Sequence, residues 1–143
     1  MDPHYFGSGQ LVLVVDDEPD FRLAMEHLLA TLGLRSIFAS NGEEALARLG
    51  REEVSVLLTD LYMPRMDGLE LIRHLKQNQS APPIIAVTGD ARIAPEAMTK
   101  FARSLGAKAV LLKPFSRDQL AEVLAFVLGK TESKFSESGY DNG

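Results

Sequence analysis

The sequence predicts an α/β protein built on one parallel sheet of five strands, with helices packed on both faces. Five short apolar runs alternate along the chain with five longer stretches in which apolar residues recur at spacings of three and four. The first run, LVLVV, contains no polar residue, which is typical of a strand buried on both faces. Strands that alternate with helices in this way form a parallel sheet, because each helix returns the chain to the same edge.

The predicted strands are short apolar runs bounded by residues that interrupt regular structure. The acidic sequence DDEP stops the first run, and Pro83 opens the fourth. In chain order, the five predicted strands cover residues 11–15, 34–38, 54–60, 84–88 and 107–112.

The predicted helices begin and end at residues with known terminal preferences. Pro19 lies in the first turn of the first helix, and Gly33 ends it. Asn41 and Gly42 turn the chain into the second helix, and Gly106 ends the fourth. The spacing assigns the following apolar residues to the buried faces, helix by helix: Phe21, Ala24, Met25, Leu28 and Leu32; Ala45, Leu46 and Leu49; Leu69, Leu71, Ile72 and Leu75; Ala97, Phe101 and Leu105; Leu120, Val123, Leu124, Val127 and Leu128.

Length and composition indicate one globular domain. The chain has 143 residues, of which 45% are hydrophobic and 24% are charged. The end segments are aperiodic or polar, so we expect an N-terminal tail over 1–9, a domain over 10–129 and a disordered C-terminal tail over 130–143. The chain has no cysteine, which excludes disulfides, thiol catalysis and cysteine-ligated metals.

Charge and hydropathy bear on the partners. The net charge of −5 argues against nucleic acid as a direct ligand, because phosphate binding needs a basic surface. No apolar run approaches the ~20 residues of a membrane span, and no signal peptide precedes the first strand-like run. We therefore expect a cytoplasmic protein with no membrane partner.

Polar side chains follow four of the predicted strands. Asp16 and Asp17 follow the first strand, Asp60 ends the third, Thr88 ends the fourth and Lys113 follows the fifth. Because the carboxyl ends of parallel strands lie on one edge of a sheet, we expect these side chains to converge. Two carboxylates about 4 Å apart repel by roughly 4 kcal/mol at an effective dielectric constant of about 20, and three repel more strongly. Either the pKa values of the carboxyl groups rise or a cation lies among them.

The donor set points to a hard cation. Its members carry oxygen ligands and neither cysteine nor histidine, which matches Mg²⁺ or Mn²⁺. With the ammonium of Lys113 and the hydroxyl of Thr88 beside them, the carboxylates suit the delivery of a phosphoryl group onto a carboxylate oxygen.

Most of these residues also have an ordinary explanation when taken alone. Asp17 or Glu18 would cap a helix, and Thr88 would belong to a turn. Asp67, before Gly68, we assign as the N-cap of the third helix. Asp60 is different, because it ends a buried strand and serves no helix start.

Four motifs make a family recognisable. VDDEP, DLYMPRMDG, AVTGD and LLKPF occur in that order at the ends of the first, third, fourth and fifth predicted strands. Over residues 10–129 the chain resembles the receiver domain of bacterial two-component response regulators. The resemblance implies a flavodoxin-like (βα)5 fold, which is a doubly wound three-layer sandwich with strand order 2-1-3-4-5.

The resemblance also implies a role for each residue at the strand ends. Asp60 would be the phosphoacceptor, Thr88 the hydroxyl that engages the phosphoryl group, and Lys113 the ammonium that senses it. Met63-Pro64 and Met66-Asp67-Gly68 would shape the loop after Asp60. The implied Mg²⁺ ligands are the carboxylates of Asp16, Asp17 and Asp60 and the backbone carbonyl of Tyr62.

The implied partner is a phosphate donor. It would be a phosphohistidine on a sensor histidine kinase or on a histidine phosphotransfer protein. The domain would be a signalling module that catalyses only its own phosphorylation and dephosphorylation. Receivers also dimerise through the fourth and fifth helices, which makes a homodimer a further expectation. The sequence leaves open a stand-alone receiver, a phosphorelay intermediate and a piece of a larger regulator or hybrid kinase.

The chain departs from the family at one position. Family members usually carry an aromatic residue three positions before the lysine, and here that residue is Val110. We therefore expect signalling mainly through the loop 88–90 and the helix after it, with a responsive face around residues 97–101. Tyr62 and Asp90 are expected to flank the path of water to the acyl phosphate.

Two other functions fit the layered architecture. An aspartate-nucleophile phosphatase or phosphotransferase would have a second aspartate two residues after the nucleophile, but Tyr62 stands there. An FMN-binding flavodoxin-like protein would have a Ser/Thr/Gly-rich phosphate loop after the first strand, but DDEP stands there and would repel phosphate.

Overall fold

The computed structural model describes residues 2, 4–7, 9–63, 65–89 and 95–129. Five strands and five helices alternate along this part of the chain. In order they are β1 (Leu11–Val15), α1 (Pro19–Thr31), β2 (Arg35–Ala39), α2 (Gly42–Leu49), β3 (Val56–Asp60), α3 (Gly68–Lys76), β4 (Ile84–Thr88), α4 (Pro95–Leu105), β5 (Ala109–Leu112) and α5 (Arg117–Val127).

The strands form one parallel sheet in the order β2-β1-β3-β4-β5. This confirms the predicted fold class and strand order. The register aligns Asp60 with Val87 and Thr88 with Leu112, so β3, β4 and β5 end nearly level at one edge of the sheet. That edge carries the predicted site.

Three strands begin later than predicted. The Leu34 N–H donates to the Leu29 carbonyl at 2.9 Å, and the Ala107 N–H donates to the Ala102 carbonyl at 3.0 Å. Each amide thus completes the preceding helix, so β2 begins at Arg35 and β5 at Ala109. The third strand begins at Val56, two residues after the predicted start.

The sheet divides the hydrophobic core into two layers. Alternate residues of each strand point to opposite faces. Val12 and Val14 pack with α1 and α5 in one layer, which we call the α1/α5 layer. Leu13 and Val15 pack with α2, α3 and α4 in the other, the α2–α4 layer. A shift of one residue in register would exchange the two sets, so both layers specify the same pairing.

Helix α1 buries its apolar face with two differences from the prediction. Met25 is buried as predicted, but the most enclosed residue of the helix is Leu29, which was not assigned to the face. Ala24 is exposed, and Leu32 is buried just beyond the last helical turn.

The predicted face of α4 is wrong at two of its three residues, while Leu105 packs against the α2–α4 layer as predicted. Ala97 and Phe101 are exposed, whereas Met98 and Ala102 pack into the α2–α4 layer. The phase of the apolar stripe is therefore displaced by one residue. In α2, α3 and α5 the assigned residues are buried or pack against the core. None of the described helices has both the length and the apolar character that a membrane span requires.

The segment before β1, predicted to be a tail, packs against the domain where it is described. The Phe6 N–H donates to the Leu32 carbonyl at 2.7 Å, and the Phe6 side chain packs on the α1/α5 layer. Arg117, at the start of α5, pairs with Asp2 at 2.7 Å and with the Thr31 carbonyl at 3.0 Å. The predicted disordered tail over 130–143 lies outside the described residues.

Replacing Leu29 with alanine should destabilise the domain by about 2–5 kcal/mol, because the side chain is fully buried and its removal leaves a cavity. Leu23→Ala on the same helix is the matched control, since Leu23 is 68% exposed, and it should change the free energy of unfolding by no more than about 0.5 kcal/mol. Urea unfolding of both variants measures the difference. Equal losses would contradict the assigned burial.

Candidate functional site

The sheet brings the predicted residues to one edge. Asp60 ends β3 and Thr88 ends β4, while Asp16 and Lys113 directly follow β1 and β5. The Asp16 N–H donates to the Ala39 carbonyl at 3.1 Å, so that residue is tied to the end of β2. The Lys113 N–H donates to the Thr88 carbonyl at 2.8 Å, so its backbone is tied to β4.

Three carboxylates form a cluster at this edge. One oxygen from each of Asp16, Asp17 and Asp60 lies within 4.8 Å of the other two. Asp16 is completely buried, the Asp60 side chain is 15% exposed and Asp17 is exposed. The cluster therefore has a closed inner side and an open outer side.

The Lys113 ammonium lies among these carboxylates. Its Nζ is 3.0 Å from Asp16 Oδ2 and 3.6 Å from Asp60 Oδ2. A third carboxylate, Glu18, lies 3.8 Å away but is largely exposed. The Lys113 side chain is 22% exposed, so these contacts are shielded from water more than surface ion pairs are.

Burial and neighbouring charges shift the pKa values of Asp60 and Lys113. Burial raises the pKa of Asp60; the Tyr62 N–H and the Lys113 ammonium oppose the rise, and the charge of Asp16 adds to it. Burial alone would lower the pKa of Lys113, but its hydrogen bond to Asp16 and the charges of Asp16, Asp60 and Glu18 together raise it. Lys113 therefore stays charged, whereas the ionised form of Asp60 costs folding free energy.

The start of α1 shows whether Asp17 or Glu18 caps that helix. Glu18 occupies the N-cap position but makes no side-chain capping hydrogen bond. Instead, Asp16 Oδ1 accepts the Glu18 N–H at 2.8 Å, and Pro19 follows in the first turn. Asp17 therefore does not cap α1, and its carboxylate faces the cluster.

The loop from β3 to α3 folds back on Asp60. The Tyr62 N–H donates to Asp60 Oδ1 at 3.2 Å, and the Gly68 N–H donates to the Leu61 carbonyl at 3.1 Å. Asp67 caps α3 as predicted, with its side chain accepting the Glu70 N–H at 2.9 Å. Gly68 has no room for a β-carbon, because that atom would overlap the Asp60 carbonyl.

The same loop is attached to the start of α2, which the sequence did not reveal. The Gly42 N–H donates to the Met66 carbonyl at 2.7 Å, and a β-carbon on Gly42 would lie 2.5 Å from Met66 Cγ. Arg65 has a φ of 64° and pairs with Glu43 at 3.0 Å. Two independent contacts thus hold the loop after Asp60 against α2.

Thr88 and Val110 lie toward the α2–α4 layer. Thr88 is 2% exposed at the end of β4, and Val110 packs against that layer from β5. Tyr62 is 44% exposed beside Asp60, where it was expected to flank the path of water. Pro64 and Asp90 lie outside the described residues.

One contact of Lys113 was not foreseen. Its ammonium lies 4.0 Å from the centre of the Phe21 ring. The spacing of α1 assigns Phe21 to the core, and no feature of the sequence distinguishes it from the other apolar residues of that face. The contact becomes visible only when α1 and the β5–α5 connection are placed together.

The family model described as response regulator receiver domain matches residues 12–125. The chain belongs to this family. Membership sets aside the two alternatives, the aspartate-nucleophile phosphatase and the FMN protein.

Two relatives agree with this receiver assignment. The chain is 33% identical over 108 residues to the Regulator of RpoS of Escherichia coli strain K12, covering 74% of this chain and 31% of the relative. It is 38% identical over 109 residues to the DNA-binding transcriptional regulator NtrC of Salmonella typhimurium, covering 76% of this chain and 23% of the relative. The receiver chain thus spans less than a third of either protein.

Two solved structures share the fold of this receiver domain. The chemotaxis response regulator CheY4 of Vibrio cholerae has a TM-score of 0.75 at 30% identity, covering 85% of this chain and 100% of that one. The receiver domain of sensor histidine kinase PA1611 from Pseudomonas aeruginosa also has a TM-score of 0.75, at 28% identity, covering 85% and 99%. The latter structure has a magnesium ion coordinated in its active site cleft.

Gly68→Ala should displace the β3–α3 loop, because a β-carbon there overlaps the Asp60 carbonyl. We expect a loss of about 2 kcal/mol or more in the free energy of unfolding and, if the carboxylate cluster holds Mg²⁺, at least about tenfold weaker binding of that ion. Gly50→Ala is the matched control, since its β-carbon would meet its nearest neighbours at 3.6 Å. Calorimetric Mg²⁺ titration and urea unfolding test both; unchanged Mg²⁺ affinity in Gly68→Ala would contradict the loop's role.

Asp60→Asn should stabilise the metal-free receiver at neutral pH. Burial raises the Asp60 pKa above 3.8, which means that the folded protein favours the protonated carboxyl group. The stabilisation that comes from this protonation is fully present below pH 3.8 and is lost as pH rises through the raised pKa. Asparagine suffers no such loss, so the advantage of the variant should grow with pH. Urea unfolding in a chelator at several pH values measures it, with the exposed Asp20→Asn as control. A pH-independent difference would contradict the shifted pKa.

Proposed function

We propose that this receiver domain accepts a phosphoryl group on Asp60 in a Mg²⁺-dependent reaction and thereby changes its binding to partners. The observation that carries the proposal is the cluster of Asp16, Asp17 and Asp60 around the Lys113 ammonium. The carboxylates offer a cation site, and the ammonium supplies charge for an incoming phosphoryl oxygen.

The residues fit Mg²⁺. The three carboxylate oxygens lie within 4.8 Å of one another and are all hard donors. The backbone carbonyl of Tyr62 is the further ligand that we propose, because the Tyr62 N–H already ties that residue to Asp60 at 3.2 Å. When bound, Mg²⁺ would neutralise charge on the phosphoryl oxygens. The coordinated ion in the PA1611 receiver domain supports the same use here.

The chain's own groups account for the transfer. An oxygen of the ionised Asp60 carboxylate forms a bond to phosphorus as the phosphorus–nitrogen bond of a donor phosphohistidine breaks, and the electron pair of that bond stays on the imidazole. Lys113 Nζ, 3.6 Å from Asp60, is close enough to contact an oxygen of the group received. Asp60 ends a buried strand, so its carboxylate is held in place during the attack.

The proposed donors are a sensor histidine kinase and a histidine phosphotransfer protein. Similar structures include the receiver domains of sensor histidine kinases from Syntrophus aciditrophicus and Pseudomonas aeruginosa, which supports a donor of this class. The relatives that the chain matches include a transcriptional regulator several times its length. A stand-alone receiver and a piece of a larger regulator both agree with these matches.

The proposed response uses Thr88. Its hydroxyl would bond an oxygen of the phosphoryl group on Asp60, which lies on the neighbouring strand. Val110 offers no ring to follow that movement, so we propose that the chain after Thr88 and helix α4 carry the change. The exposed Ala97 and Phe101 are part of the surface that would respond. Dimerisation through α4 and α5 stays a prediction.

Incubation with acetyl phosphate and Mg²⁺ should add one phosphoryl group, measured by intact mass. Asp60→Asn and a chelator should each abolish the adduct, because they remove the acceptor and the cation. Asp20→Asn, which changes an exposed aspartate of α1, should leave it intact. An adduct that persists in Asp60→Asn would contradict the assigned acceptor. No adduct in a protein that binds Mg²⁺ would contradict phosphorylation and favour phosphate-independent partner binding.

A further inference from the structure

An aromatic ring adjoins the ammonium that serves the site. Lys113 Nζ lies 4.0 Å from the centre of the Phe21 ring, within the range of a cation–π interaction. Phe21 in turn meets Phe115 edge to face, with ring centres 6.1 Å apart and an interplanar angle of 84°. The second ring restrains the first, since an edge-to-face pair has a preferred geometry.

The two rings and the lysine stem line one apolar cavity. It has a volume of about 290 Å³ and lies between α1 and the β5–α5 connection, lined also by Met25, Leu28 and Pro114. The lysine stem therefore runs along apolar surface, and only its charged end reaches the carboxylates. The Lys113 ammonium therefore lies between the Phe21 ring and the carboxylates.

Three carboxylates lie close enough to pair with the Lys113 ammonium. Asp16 is 3.0 Å away and buried, Asp60 is 3.6 Å away and nearly buried, and Glu18 is 3.8 Å away and exposed. A lysine is a flexible chain with a compact charge, and nothing in its own geometry selects among them. Contact with Glu18 would draw the ammonium outward, away from an incoming phosphoryl group.

We propose that Phe21 is a positioning residue that holds the Lys113 ammonium between Asp16 and Asp60, ready for a phosphoryl oxygen. The face of the ring carries negative potential and attracts the ammonium, whereas an aliphatic side chain would not. The ring also excludes water from that side. Together these effects favour the inward pose over the outward pose beside Glu18.

The proposal rests on the proposed phosphorylation of Asp60 for its effect on rate, but its geometric part does not. Phe21→Leu keeps an apolar side chain of similar size and removes the ring. Phe21→Tyr keeps the ring. Leu28→Ala is the matched control, because it enlarges the same cavity and leaves in place the Phe21 ring that contacts the ammonium.

The experiment combines two measurements on the full chain. In the Mg²⁺-free, unphosphorylated protein, NMR should show the Lys113 ε-methylene protons shifted upfield by the ring current, with the shift lost in Phe21→Leu and kept in Phe21→Tyr and Leu28→Ala. With acetyl phosphate and Mg²⁺, Phe21→Leu should be phosphorylated about threefold to tenfold more slowly, as expected for loss of a partly desolvated cation–π contact. Phe21→Tyr and Leu28→Ala should stay near the wild-type rate.

Several outcomes would overturn the proposal. They are a wild-type protein without the upfield shift, a Phe21→Leu variant with an unchanged rate, and a Leu28→Ala variant slowed as much as Phe21→Leu. If the wild-type protein is not phosphorylated at all, the proposed function fails. Positioning by Phe21 is then decided by NMR alone, and it stands only if Phe21→Leu increases the mobility of the Lys113 side chain while Phe21→Tyr does not.

Discussion

Mutual repulsion of three carboxylates at the end of an apolar sheet is the constraint on which the site depends. Asp16, Asp17 and Asp60 lie within 4.8 Å of one another, and Asp16 has no access to solvent. The Lys113 ammonium offsets part of this repulsion from within the cluster. The excess of negative charge that remains would attract a divalent cation to this edge.

The charged cluster keeps its geometry because the backbones of its residues are hydrogen-bonded to the sheet. The Asp16 N–H bonds the end of β2, and the Lys113 N–H bonds the end of β4, so both residues continue the ladder beyond their own strands. The loop after Asp60 is held by Gly42 and by the pair of Arg65 with Glu43. A charged cluster at a sheet edge thus draws its rigidity from hydrogen bonds that lie outside it.

The sequence predicted the sheet and the strand-end residues for a simple physical reason. Apolar runs and their polar ends are local patterns, and parallel topology brings every strand's carboxyl end to one edge. Asp16, Asp60 and Lys113 could therefore be placed together without any knowledge of packing. The start of β2 was misplaced by one residue because the Leu34 amide serves the end of α1, a contact that composition does not display.

Side-chain contacts between separate elements were not predictable in this way. In α4, both Ala97 with Phe101 and Met98 with Ala102 have helical spacing, and only packing decides which pair is buried. Phe21 has the periodicity of a core residue and reaches Lys113 through a crossing of two elements. Such contacts depend on angles between helices and strands, which a linear pattern does not contain.

The two-residue period of the strands has a consequence for how proteins would meet this domain. Asp60 and Lys113 share the phase of the strand residues that face α1 and α5, whereas Thr88 and Val110 share the phase of those that face α4. The charged groups and the hydroxyl therefore lie at one edge of the sheet but approach it from opposite faces. Under the proposed function, the phosphoryl donor would meet the side of α1 and α5 and the responding partner the side of α4, so delivery of the group and its detection would use different faces of the domain.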